Sequence, residues 1–375
     1  MPFIVLIIVA LGVYLFYVYR FSKNAESDMY YEVDYTVREV FEGEEFHITE
    51  KIENNKKTPL PDIRVDSILP EGLEFCLHNG YGKKTGKGNV ESVFVLEGYS
   101  KLERRWRVRA LHRGVYHLGK ADVIVSDIFG GARHSVHFDE HKDKSLTVLP
   151  SCIRLEEYFA RASEPMGDFR VELGLLKDPM VMAGVREYSY GDTVSSVNHK
   201  ASAHSGELMV NITEYMQKSN FDILFNIASR DTEKAGDIPQ KSDICEFGIK
   251  VCASVFEFCD TEAPIRIISN FGEADGIFIS DEFCSRSDNL YALRTLAGIE
   301  SKLSMPFDML LSAVCEDRGN TKSFIVITPY VNEALLAFID EMNLQGREVI
   351  AFVTSNQKSV LEIPKKYNIF FKTHE

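Results

Sequence analysis

The first twenty residues limit what this chain can become. "PFIVLIIVALGVYLFYVY" is an apolar run without a charged side chain. Its length is what one helix needs to cross a bilayer. Tyr14, Tyr17 and Tyr19 crowd its C-terminal end, where aromatic rings favour the membrane interface. A cleaved signal peptide would show a basic segment before the run and small residues after it; neither is present. The run therefore reads as a retained anchor over residues 1–20, with residues 3–19 in lipid. Arg20 and Lys23 follow immediately, so the positive-inside rule places the remainder in the cytoplasm, as a single-pass protein of the cell membrane.

A chain of 375 residues leaves room for two soluble domains besides the anchor. The net charge of -14 excludes broad nucleic-acid binding, which needs a basic surface. Seven cysteines without a C-x-x-C pair suit a reducing compartment better than a disulfide framework. Cys245, Cys252 and Cys259 recur every seven residues, the spacing of a buried helix stripe.

Residues 28–150 predict a β-sandwich of immunoglobulin type. Tyr31, Val33, Tyr35 and Val37 alternate, as do Phe46, Ile48 and Ile52, with turn residues between short runs. In "RRWRVRA", Arg105, Arg107 and Arg109 share one face and Trp106 and Val108 the other. The arginine face reads either as an anion-binding patch or as a solvated face balanced by acids such as Glu103. From residue 218 onward, strand-like and helix-like runs alternate, which predicts a mostly parallel sheet with helices on both faces. Sites in such folds lie at the carboxyl ends of strands, here after Ala228, Thr328 and Thr354. No glycine-rich nucleotide loop, nucleophile elbow or H-E-x-x-H stands in the chain.

Between the domains, residues 151–217 carry "VREYSYGDTVSSVNHKASAHSGELMV". This segment resembles the signature of the domain-of-unknown-function 58 family (DUF 58), roughly R-x-Y-x-x-G-D, then I-D-W-x-A-S-A-R and G-x-L. Arg186, Tyr188, Gly191 and Asp192 match the first half; Lys200, Ala201, Ser202, Ala203, Gly206 and Leu208 match the second. "RGVYHLGKADVIVSDIFG" is similar to the family's R-G-x-Y-x-L-G and D-x-F-G. The sequence departs from the pattern at Val197, Asn198 and His199, which replace I-D-W, and at His204, which replaces arginine. One apolar helix stands where the family commonly has a pair.

The resemblance implies a von Willebrand factor A-like α/β domain over residues 218–375. Such domains often hold Mg²⁺ through D-x-S-x-S after the first strand. Here those positions are Asn226, Ala228 and Arg230, which offer no carboxylate or hydroxyl to a hard cation, so the expectation is a degenerate site without metal or other cofactor. The resemblance further implies a non-enzymatic interaction module that works with a MoxR-type AAA ATPase in assembling envelope complexes. Arg186, Tyr188, Gly191, Asp192, Asn198, His199, Lys200 and Ser202 would then contact the partner or brace the two domains. Two alternatives stand beside it: an adhesin-like protein with its domains outside, and a hydrolase using Asp192, His199 and Lys200, with His204 nearby.

Overall fold

A computed structural model describes residues 2–24, 28–35, 37–76, 83–84, 88–127, 132–139, 144–161, 182–188, 198–213, 221–258, 264–272, 276–283, 288–300, 302–317, 322–355 and 367–372. The chain divides into two compact units, Met1–Ser151 and Cys152–Glu375.

The first unit opens with helix α1 (Pro2–Asn24), whose stretch Phe3–Phe21 has a mean hydropathy of 2.2. That is the length and polarity of a bilayer span, and a signal sequence shares both. Twelve strands follow: β1 (Met29–Tyr35), β2 (Glu39–Phe41), β3 (Glu45–Asn54), β4 (Leu60–Ile68), β5 (Leu73–Phe75), β6 (Lys83–Lys84), β7 (Asn89–Leu96), β8 (Ser100–Ala110), β9 (Gly114–His117), β10 (Ala121–Ser126), β11 (Arg133–Phe138) and β12 (Ser145–Leu149). They form sheets of order β1-β3-β8-β5, β11-β10-β4-β7-β6 and β2-β12-β9. The alternation in the sequence becomes one shared core. Tyr31, Val33, Phe46, Ile48, Ile52, Trp106 and Val108 of the first sheet meet Leu60, Ile63, Val65, Val90, Val123 and Val125 of the second. The expected sandwich is thus present, because each strand places every second side chain inward.

The second unit contains α2 (Leu155–Tyr158), β13 (Phe159–Arg161), β14 (Met182–Glu187), α3 (His199–Ser205), β15 (Met209–Thr213), β16 (Phe221–Phe225), α4 (Ser242–Phe258), β17 (Ile267–Ser269), β18 (Phe278–Ile279), α5 (Asn289–Ala297), α6 (Phe307–Glu316), β19 (Ser323–Thr328), α7 (Glu333–Leu344), β20 (Val349–Val353) and β21 (Asn368–Lys372). Its main sheet runs β13-β21-β20-β19-β16-β17-β18. Strands β21, β20, β19, β16 and β17 pair in parallel; β13 and β18 close the edges antiparallel. Strand β13 lies within the stretch read as a connector, and its Phe159 is fully buried against Phe352.

Strands β16 and β20 are buried along their whole length, as a sheet covered on both faces requires. On one face, Leu224, Val326 and Ala351 pack with Phe307, Leu311, Phe338 and Ile339 of α6 and α7. On the other, α4 comes close to Phe225 and Ile327 because residue 248 is glycine; a Cβ there would stand 2.7 Å from the Phe225 ring. Cys245 and Cys252 are buried on α4, as their spacing suggested; Cys259 lies outside the described residues. Counted from β16, the strand order is 3-2-1-4-5-6, the doubly wound arrangement. The order reverses between β16 and β19, and it is at the ends of such a strand pair that folds of this order place their ligands.

Candidate functional site

Three polar residues fill that switch point. Asn226 follows β16, Asn270 follows β17 and Thr328 ends β19; all are at most 1% exposed. The Asn226 amide donates to Thr328 Oγ1 at 3.1 Å, and its carbonyl oxygen accepts from Ala228 N and from Asn270 Nδ2, both at 3.0 Å. Asn270 Oδ1 accepts from Ile227 N at 3.0 Å, while its amide also reaches Met305 O at 3.2 Å. Thr328 Oγ1 donates in turn to Tyr330 O at 3.1 Å. Each polar group thus meets a complementary partner from another strand end, which offsets the cost of burying it.

This donor set does not suit Mg²⁺, which demands near-octahedral oxygen ligation. The one oxygen that residue 226 offers is occupied by two N–H donors. Its other end is an amide that must donate to Thr328, a bond no carboxylate could make. Ala228 supplies a methyl group, and Arg230 is exposed. Among the described residues no group of three or more His, Cys, Asp and Glu is placed to hold a metal.

The loop after Ala228 is also fixed. Glu233, nearly buried, accepts from Ser229 N at 2.7 Å, from Ser229 Oγ and from Gln240 N at 3.0 Å. At the rim, Asn332 Nδ2 donates to Asp231 at 2.9 Å and to Asp308 at 2.8 Å, while its Oδ1 caps α7 at Leu335 N. Burial, the larger effect, and the nearby Asp231 and Asp308 push the Tyr330 hydroxyl above the usual tyrosine range. Asn332 thus joins Asp231 and Asp308 into one polar edge, and Ile238 and Met309 are exposed apolar residues of the same unit. Asn270, Asn332 and Glu233 were not singled out from the sequence; isolated polar residues in loops carry no spacing that would reveal them.

The signature segment divides differently. Gly191 and Asp192 lie outside the described residues. Arg186 occupies β14 opposite Val210. Tyr188 is 39% exposed, and its N–H bonds Leu208 O at 2.8 Å. Asn198 is the N-cap of α3: its Oδ1 accepts from Ala201 N at 2.9 Å. Ser202 Oγ donates to Asn198 O at 2.7 Å and accepts from Met209 N at 2.8 Å, tying the helix to β15. Gly206 ends the helix in the left-handed region at φ 79°, which a side chain would strain. Asn198, Ser202 and Gly206 therefore shape the backbone. His199, Lys200 and His204 are exposed on α3.

On the arginine face of β8, Glu45 lies 3.4 Å from Arg107 and 2.5 Å from Arg109, whereas Glu103 pairs with Lys101. The charged residue that matters most there is the neighbouring Arg104, which turns inward. Arg104 stands opposite Glu50 in the β3–β8 register. Glu50 is 1% exposed and accepts from Tyr31 at 2.7 Å, Arg104 at 2.5 Å, Trp106 at 2.9 Å and Ser67. Ser67 and Ser92, which Arg104 also contacts, belong to the facing sheet, so the cluster pins the two sheets together.

No protein-family model and no curated protein matches this chain. Among solved structures it is similar over 32% of its length to a Salmonella alpha-2-macroglobulin variant, at 16% identity and a TM-score of 0.25, spanning 9% of that chain. It is similar over 33% of its length to a cohesin module from a Clostridium perfringens family 33 glycoside hydrolase, at 17% identity and a TM-score of 0.25, spanning 98% of that module. A non-cellulosomal cohesin from Archaeoglobus fulgidus matches 30% of the chain at 16% identity and a TM-score of 0.21, over 94% of its own length. At TM-scores this low the likenesses carry no argument.

Proposed function

We propose that this chain is a membrane-anchored, non-enzymatic interaction and assembly module of the DUF 58 kind, whose von Willebrand factor A-like unit binds a protein partner without metal. The observation that carries the reading is the switch point. Where a doubly wound sheet places its ligand, the described residues put the amides of Asn226 and Asn270 and the hydroxyl of Thr328, and these are bonded to one another and to the backbone. Binding then falls to the surrounding rim, through Arg230, Asp231, Asp308 and the exposed Ile238 and Met309. A MoxR-type AAA ATPase is the partner, and Arg20 and Lys23 set the domains on the cytoplasmic side.

A detergent pull-down of the tagged full-length protein tests this, with wild type beside Asp192→Ala. Recovery of a stoichiometric AAA ATPase supports the reading, and its loss in the variant places the contact at the signature. Failure to recover a partner overturns it. Calorimetry with Mg²⁺ tests the metal-free site: saturable binding lost in Asn226→Ala would contradict it. Labelling of Cys152, exposed in the structure, reports the side of the membrane: reaction in intact, unpermeabilised cells would place the domains outside.

A further inference from the structure

The apolar helix does more than thread a bilayer. Tyr17, Val18 and Phe21 lie at i, i+1 and i+4 on α1; with Tyr14, half-buried, they form one helical stripe. Phe21 is 4% exposed and belongs to the core of the β unit, with Tyr17 and Val18 packed against the same core. The Tyr17 and Phe21 rings stack at 6.1 Å between centroids. The last turns of the helix are thus part of the sandwich, while Phe3–Val13, Leu15 and Phe16 stand exposed around the helix.

Length then sets a constraint. The segment Phe3–Phe16, which precedes the packed turns, spans about 21 Å at 1.5 Å per residue. A bilayer's hydrocarbon core is about 30 Å thick, and Phe3–Phe21 spans about 28 Å. The full apolar stretch fits only if the packed turns also sit at membrane depth. Those turns cannot leave the sandwich without exposing Phe21.

We propose that α1 is retained as a structural element of the β unit and that it seats the sandwich in the headgroup layer, with Tyr17, Tyr19, Arg20 and Lys23 at the lipid interface. The partner of this surface is the bilayer itself. Tyrosine rings suit the interfacial layer, and the two cations suit phosphate headgroups. The inference rests on the membrane-anchored reading above and adds that anchor and domain are one rigid piece.

Three measurements on the full chain, purified from its membrane and reconstituted in phosphatidylcholine–phosphatidylglycerol nanodiscs, test it. Intact mass should include residues 2–24; a chain lacking them overturns both the anchor and this inference. Phe21→Ala should lower the β-unit melting temperature, read by Trp106 fluorescence, by about 10 °C, while Phe16→Ala leaves it unchanged. Equal melting for the two variants overturns the inference and leaves the anchor standing. Finally, Lys23→Trp should emit at least twofold more light quenchable by nitroxide-headgroup lipid than wild type, whose single tryptophan is buried. No excess quenching means the sandwich stands clear of the bilayer, which overturns the seating while the retained helix survives.

Discussion

Removal of the Arg104 side chain is the sharpest test of what holds the β unit. Arg104→Met keeps the stem but deletes the cation that meets Glu50 at 2.5 Å. Glu50 then stays at 1% exposure with only Tyr31, Ser67 and Trp106 as neutral donors. Breaking a buried pair by removing one partner costs about 3–5 kcal/mol. For a unit of this size that lowers the melting temperature by about 6–20 °C. Urea unfolding followed by Trp106 fluorescence reads the site directly, since the indole N–H itself donates to Glu50. The double variant Glu50→Leu, Arg104→Met should recover most of the loss, because no unpaired charge remains. A single-variant cost below about 1 kcal/mol, the range of a surface pair, would refute the reasoning. The same cluster sets an alkaline limit. Burial first, then the adjacent Glu50, raises the Tyr31 hydroxyl well above 10.0. Above pH 10 the unfolded chain loses that proton while the folded chain keeps it, so the contribution is full below pH 10 and falls as pH rises toward the folded value. Tyr31→Phe should remove that part of the alkaline loss.

Other consequences can be checked singly. At the opposite end of the main sheet from the switch point, fully buried Asp222 is held by Arg266 at 2.6 Å and Lys322 at 3.0 Å; Asp222→Ala should cost about 3–5 kcal/mol in urea unfolding, against near zero for the exposed Glu157→Ala. Ser202→Ala should speed exchange of the Met209 amide, whose acceptor it removes, by about tenfold while the main sheet keeps its protection; unchanged exchange would exclude the clasp. Burial, then Glu341, pushes the Cys315 thiol up to about 11 from 9.0, so alkylation at pH 8 should run about 100-fold slower than for an ordinary cysteine. Glu341→Gln should raise that rate, and an unchanged rate would rule out the carboxylate's part.

Much of the architecture was legible because it is local. Alternation along Tyr31–Val33 and Phe46–Ile52 is a property of one strand, and the helical repeat of α4 a property of one helix. The apolar run declared its own length. The identities of Asn226, Ala228 and Arg230 already withheld carboxylates from the switch point. Pairing was not legible. Parity alone puts Glu50 on the inward face with Ile48 and Ile52, but its partner Arg104 stands 54 residues away, and only the β3–β8 register sets them opposite. Asn270 meets Asn226 across 44 residues for the same reason, since two parallel strands must align before their ends can touch. The sequence by itself determined which faces are apolar and which donors are missing. The tertiary structure decided which buried polar groups meet, because that depends on strand register and loop closure, which no local pattern encodes.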